Sequence, residues 1–168
     1  MKVGLFTLEV LRRACRQLKR DGFLERYPGA FLLAMGFLSA EVIRAHAGDD
    51  EGRDATTAIN FKGKLRHDAM ATHPLAGQAF FISPESDGDT GLTIGRGPDC
   101  ELSVPERSVS EEHCRIEVTA EGVTAIDVGS TNGTTVNLER LEPMRPKVLA
   151  DEDILTLGRY SFQLLSAA

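Results

Sequence analysis

Three short segments hold side chains whose types and spacing could do chemistry. In Thr93-Ile94-Gly95-Arg96-Gly97 a β-rich run ends on an arginine set between two glycines. A guanidinium is permanently charged and presents a planar fork of donors suited to a carboxylate or phosphate, and flanking glycines let backbone or ligand approach closely. Taken alone, this arginine reads more simply as a surface charge at a turn. In Ser110-Glu111-Glu112-His113-Cys114 a serine and a histidine lie three apart. A nucleophile with its base would also need an orienting acid and an oxyanion hole, and neither is evident. The expectation is that Ser110 closes a turn, while a buried, hydrogen-bonded His113 fixes that loop and aims Ser110 outward. In Asp127-Val128-Gly129-Ser130-Thr131-Asn132-Gly133-Thr134-Thr135-Val136-Asn137 a strand end leads into a small polar loop. Asn-Gly tolerates left-handed dihedrals, and the Asn132 amide offers both donors and an acceptor suited to clamping a peptide backbone, although read alone the segment is a hairpin turn. The loop matches no nucleotide-binding glycine pattern, so neither ATP nor another cofactor is expected.

Composition narrows the classes of function. The 168 residues suit one ordinary domain with an appendage, and 42% hydrophobic with 26% charged residues argue for a folded chain. A net charge of -6 leaves no excess of cations for a nucleic-acid backbone. Cys15, Cys100 and Cys114 are odd in number and widely spaced, which signals neither a disulfide framework nor a zinc knuckle and fits a reducing cytoplasm. The most apolar stretch, residues 30 to 40, is too short to span a bilayer, which takes about 20 residues. His46, His67 and His73 are scattered singly, and Asp151-Glu152-Asp153 reads as a solvated turn, so no metal site and no catalytic group are expected.

The elements that must position the three segments follow from charge and periodicity. Residues 1 to 76 carry a balance of +3 and residues 77 to 168 a balance of -9, which argues for separate modules. In residues 1 to 47, Leu8, Leu11, Cys15 and Leu18 recur at helical spacing, with Thr7 as N-cap and Gly22 as stop. Pro28 followed by Phe31-Leu32-Leu33-Ala34-Met35 and on to Ile43 predicts a second helix ending at Gly48, hence a helix hairpin. So small a pair needs to pack on the other domain, on a second copy or on a partner, and self-association as a homodimer is the hypothesis drawn from it. Residues 48 to 76, opening on the acidic stretch Gly48 to Asp54, read as a linker, in which Thr56 and Thr57 are candidate phosphorylation sites. From Gly77 the period becomes two, with about nine short runs punctuated by turns such as Glu121-Gly122 and Asn132-Gly133. That pattern predicts an all-β sandwich over residues 77 to 166, with ligand held by loops at one end.

In order, Gly95-Arg96, Ser110-x-x-His113 and Asp127 to Thr134, with Val136-Asn137 and Asp153-Ile154-Leu155-Thr156-Leu157-Gly158, resemble the forkhead-associated (FHA) domain. The resemblance covers about residues 77 to 166. It implies a mainly β fold, a sandwich of about eleven strands, here preceded by an α-helical N-terminal segment. It also implies a non-catalytic adaptor that binds phosphothreonine peptides in serine/threonine kinase signalling. By position Arg96 would contact the phosphate, Ser110 would donate its hydroxyl, Thr131 would assist, and Asn132 would hold the peptide main chain. Gly95, His113, Gly133 and Asn137 would support the loops. The implied partner is a phosphothreonine-containing protein, a kinase or a kinase substrate, with no nucleic acid and no membrane. A phosphothreonine carries about -1.5 to -2 charges and three strong acceptors, which a guanidinium and hydroxyls satisfy.

One departure stands out. Glu111 and Glu112 follow the phosphate-contacting serine, where the family often has basic or polar residues, and carboxylates there repel a dianion unless they point away or meet a cation. Arg107 and Arg115 are candidates to compensate. Modest affinity and a preference for Lys or Arg beside the phosphothreonine follow. The alternative reading is a scaffold that binds protein without phosphate.

Overall fold

The computed structural model describes residues 3–47, 73–83, 91–119 and 121–166. The chain begins with β1 (Val3–Thr7), α1 (Leu8–Arg26), β2 (Ala30–Phe37) and α2 (Ala40–Ala47). It continues with β3 (Gln78–Ile82), β4 (Gly91–Gly95), β5 (Leu102–Ser103), β6 (Cys114–Thr119) and β7 (Gly122–Asp127). It ends with β8 (Thr134–Val136), β9 (Glu139–Arg140), β10 (Lys147–Leu149), β11 (Ile154–Leu157) and β12 (Tyr160–Ser166). One sheet has the order β1-β3-β2-β12-β11-β8-β9, and the second has β10-β7-β6-β4-β5. Between them lies an apolar core that includes Leu32, Ile94, Ile116, Leu155, Phe162 and Leu164. The fold is the β-sandwich expected.

The first 47 residues do not form a helix hairpin. Thr7 caps α1 as expected, its hydroxyl accepting from the Val10 N–H at 3.3 Å, but the helix runs through Gly22 to Arg26. The second expected helix is a strand over its apolar half: β2 pairs with β12 along one edge and β3 along the other. Only its tail is helical, as α2. Ala30, Leu32 and Ala34 point into the inter-sheet core, whereas Phe31, Leu33 and Met35 point to the outer face. That outer face is roofed by α1, which brings Leu8, Leu11 and Phe23 down onto it with Tyr27. A strand buried on both faces is apolar without alternation, and such a run cannot be told from a helix by periodicity. Pro28-Gly29 therefore opens a strand. Aromatic edges lock the roof to the sheet: Tyr27 lies 4.9 Å from Phe23 and 5.8 Å from Phe31, and Phe31 lies 5.0 Å from Phe81.

Two corrections to the module boundaries follow. The sandwich does not start at Gly77, because β2 is a central strand of its seven-stranded sheet. Strands β2 to β12 make up the eleven, and β1 with α1 is added beyond β3. The apolar face of α1 packs on the sheet of the sandwich, so of the expected supports the other domain is the one it uses. Of the expected linker, Thr56 and Thr57 lie outside the described residues, while Leu75 packs against the core.

Candidate functional site

The three segments meet at one end of the sandwich, joined by hydrogen bonds rather than by a shared apolar core. Strand β4 delivers Gly95 into a space with no room for a side chain, since a Cβ there would collide with the Glu111 carbonyl and meet Cys100 Sγ at 2.8 Å. The next residue emerges into solvent. The Arg96 N–H donates to the Ser110 carbonyl at 2.7 Å and the Gly97 N–H to the Glu111 carbonyl at 2.9 Å. Arg96 Nε donates to the Val109 carbonyl at 3.3 Å, a bond that holds the orientation of the guanidinium. Its side chain is 47% exposed, and its nearest carboxylate, Glu111 Oε1, stands at 4.0 Å on a side chain 82% exposed. That spacing makes a loose, solvated ion pair.

His113 is fully buried and joins two loops. Its Nδ1 accepts from the Ser110 N–H at 3.0 Å, which fixes the tautomer: Nε2 carries the proton and donates to the Gly133 carbonyl at 3.1 Å. Burial lowers its pKa, against an opposing pull from the Gly133 carbonyl and Asp127, so the ring is held neutral. The histidine touches the backbone of Ser110 and not its hydroxyl, so it cannot serve as the base of a nucleophilic serine. Its two ring nitrogens tie the Ser110 turn to the Gly133 loop. Ser110 Oγ accepts from the Thr131 N–H at 3.0 Å, which leaves its own O–H to donate elsewhere.

Asp127 organises the third loop. Its buried carboxylate accepts from the Gly129 N–H at 2.9 Å, the Ser130 N–H at 2.8 Å, and the Ser130 and Thr134 hydroxyls at 2.7 Å each. Burial alone would raise its pKa, but the hydrogen bonds from Ser130, Thr134 and the Gly129 amide outweigh this and hold it low. Ser130 Oγ in turn accepts from the Gly133 N–H at 3.0 Å, and Gly133 adopts φ +85°, a conformation glycine reaches without strain. Thr131 and Asn132 are thereby held at the exposed tip. Asn132 Nδ2 donates to the Ser108 carbonyl at 2.8 Å, so the amide is braced while its oxygen stays free to accept.

Sequence reasoning missed Ser108 and gave Asp127 and Ser130 no role. The Asp-x-Gly-Ser spacing, which lets one carboxylate collect the next turn's amides, was the available signal. Asn137 supports a different turn: its amide donates to Asp153 at 2.8 Å and accepts from the Ile154 N–H at 3.0 Å, joining the β8–β9 turn to the start of β11. Asp153 is thus engaged in structure, and no His/Cys/Asp/Glu group among the described residues could hold a metal ion. Arg115 lies along β6 with Glu117 at 3.3 Å, so its side chain serves that strand. At the same end of the sandwich the connection between β2 and β3 takes root. Arg159 covers Phe37 at 5.8 Å and its N–H donates to Ser108 Oγ at 3.0 Å, while His73 lies 6.0 Å from Phe37.

An exposed guanidinium beside a free hydroxyl, with a braced amide one loop away, suits an anion attached to an extended chain. The family model of the FHA domain matches residues 92–158, the span from Leu92 to Gly158 that contains every one of these groups. The chain carries an FHA domain. The oxoglutarate dehydrogenase inhibitor of Corynebacterium jeikeium is 30% identical over 95 residues, covering 56% of this chain and 60% of that protein. The FHA domain-containing protein FhaA of Mycobacterium tuberculosis is 40% identical over 65 residues, covering 39% of this chain and 12% of that protein. The chain thus spans less than two thirds of either relative. A solved structure from work on phosphothreonine-dependent FHA domain interactions shares the fold, with a TM-score of 0.51, 21% identity, and coverage of 82% of this chain and 96% of that one. The shared fold therefore reaches beyond residues 77–166, as the place of β2 in the sheet requires.

Proposed function

We propose that this FHA domain binds phosphothreonine on a partner protein in serine/threonine kinase signalling, without catalysing a reaction. One observation carries the reading: a single hydrogen-bonded network presents the Arg96 guanidinium, the Ser110 hydroxyl and the Thr131–Asn132 tip at one exposed end of the sandwich. Arg96 pairs with the phosphate, Ser110 donates its O–H to a second phosphate oxygen, and Thr131 adds its hydroxyl. Asn132 takes the peptide main chain. Gly95, His113 and Gly133 keep the three loops in register. The solved relative's study of phosphothreonine-dependent interactions and the naming of another relative as an inhibitor support a regulatory binder over an enzyme. The partner is a phosphorylated kinase or kinase substrate, and the setting is the cytoplasm. Among the described residues no helix is long and apolar enough to cross a membrane.

Calorimetric titration with an oriented phosphothreonine peptide library and matched unphosphorylated peptides tests this. Saturable binding of phosphorylated members alone is expected. Equal binding of both sets would refute the proposal and favour a phosphate-independent scaffold.

A further inference from the structure

The binding face is electrically lopsided. Its hydrogen-bonded network runs from Arg96 through Ser110 to Thr131 and Asn132, then through Ser108 to Arg159. At the Arg96 end the turns after β4 and after Ser110 expose Asp99, Glu101, Glu111 and Glu112. The two turns are joined by the Cys100 thiol, which donates to the Glu111 carbonyl at 3.0 Å. The Cys100 thiol between the two turns has its pKa raised first by burial and then by Glu112, Glu101 and Asp99. At the Ser108 end the charges are reversed. The Arg140 guanidinium lies against Gly133, where an added Cβ would meet its terminal nitrogen at 2.6 Å. Arg107 is exposed beside Ser108, and the Arg159 side chain is 75% exposed. Against these three cations stands Glu106, which is 13% exposed and holds Arg159 at 3.3 Å. This end therefore keeps a net positive charge.

The geometry points to a charge-ordered ligand: a phosphothreonine peptide with Lys or Arg on the side that lies over Glu111 and Glu112, and Asp or Glu on the side that lies over Arg159 and Arg140. This rests on the phosphothreonine reading and refines it, since uniform basic flanks would meet repulsion at the Ser108 end. Arg159 and Glu111 are then specificity-determining residues that leave the phosphate contacts to Arg96 and Ser110. Charge order is read chiefly as rejection of the wrong order, because like charges at both ends oppose docking.

Three phosphothreonine peptides with one core sequence decide the matter: neutral flanks, basic-then-acidic flanks, and acidic-then-basic flanks. Each is titrated by fluorescence anisotropy against the full chain at low and high salt. The two charged orders are expected to differ about tenfold in Kd, from a few-fold effect of exposed pairs at each end, and the gap should shrink in high salt. Arg159→Gln, and separately Glu111→Gln with Glu112→Gln, should each reduce the ratio about threefold. These side chains are exposed, so the fold is spared. If the neutral phosphopeptide binds while the two orders agree within twofold, charge order is refuted and the phosphothreonine reading stands. If no phosphopeptide binds better than its unphosphorylated form, both readings fall.

Discussion

Replacing Asp127 by asparagine tests whether the loop bearing Thr131 and Asn132 is held by one buried carboxylate. The carboxylate accepts from four donors at 2.7–2.9 Å. An amide of the same size has one accepting oxygen and turns an NH2 group toward the donors that its lost oxygen served. At least one pair of charge-assisted bonds is lost. At about 1.5–3 kcal/mol for each such bond, partly recovered as the loop relaxes, Asp127→Asn should destabilise the folded chain by about 3 kcal/mol at pH 7. Urea denaturation reads this, and phosphopeptide titration should weaken in parallel as the loop tip loses its brace. The penalty also has a pH signature. Because hydrogen bonds hold the folded-state pKa of Asp127 below its unfolded value, its stabilisation is complete above that unfolded value. It is lost as pH falls through the folded one. The gap between wild type and variant should therefore narrow below about pH 4, near the ordinary aspartate pKa. A variant less than about 1 kcal/mol weaker, with unchanged phosphopeptide affinity, would refute the assignment of Asp127 as organiser.

Arg96→Ala should leave the urea midpoint unchanged and weaken phosphopeptide binding by about tenfold to a hundredfold, as loss of a charged hydrogen bond of about 1.5–3 kcal/mol implies; retained affinity would contradict its role. His113 is buried and its pKa lies below the ordinary value, so its contribution to stability is complete above about pH 6.5 and declines as pH falls from there toward the folded value. Chemical denaturation at pH 7.5 and pH 5.5 should show this decline, and it should vanish in His113→Phe, which should itself cost about 2–4 kcal/mol by stranding the Ser110 N–H and weakening the hold on Gly133. A chain lacking residues 1–47 loses β2 from the middle of the seven-stranded sheet, so its circular dichroism should show no cooperative unfolding transition; a folded truncation would overturn the place given to β2.

What was legible in the sequence depended on how many neighbours each residue needed to be understood. Gly95-Arg96, Ser110-x-x-His113 and Asn132-Gly133 sit at strand ends whose turn chemistry is local; each alone reads as an ordinary turn, and only their order, through its resemblance to the FHA domain, points to one binding face. The alternating strands β6 and β7 were equally readable, because each keeps one side toward the core. β2 was not, since its apolar outer residues Phe31, Leu33 and Met35 make sense only once α1 is seen to lie over them. A helix propensity and a capping proline favoured the wrong element, and hydrogen-bonded partners on both edges overruled them. The electrostatics of the site were half legible for the same reason. Glu111 and Glu112 are adjacent to Ser110 in the chain, so their repulsion could be foreseen. Arg140 and Arg159 arrive from β9 and the β11–β12 turn, brought beside Gly133 and Ser108 by strand pairing alone. Under the proposed charge order, their arrival adds an acidic flank on one side to the Lys or Arg expected near the phosphothreonine.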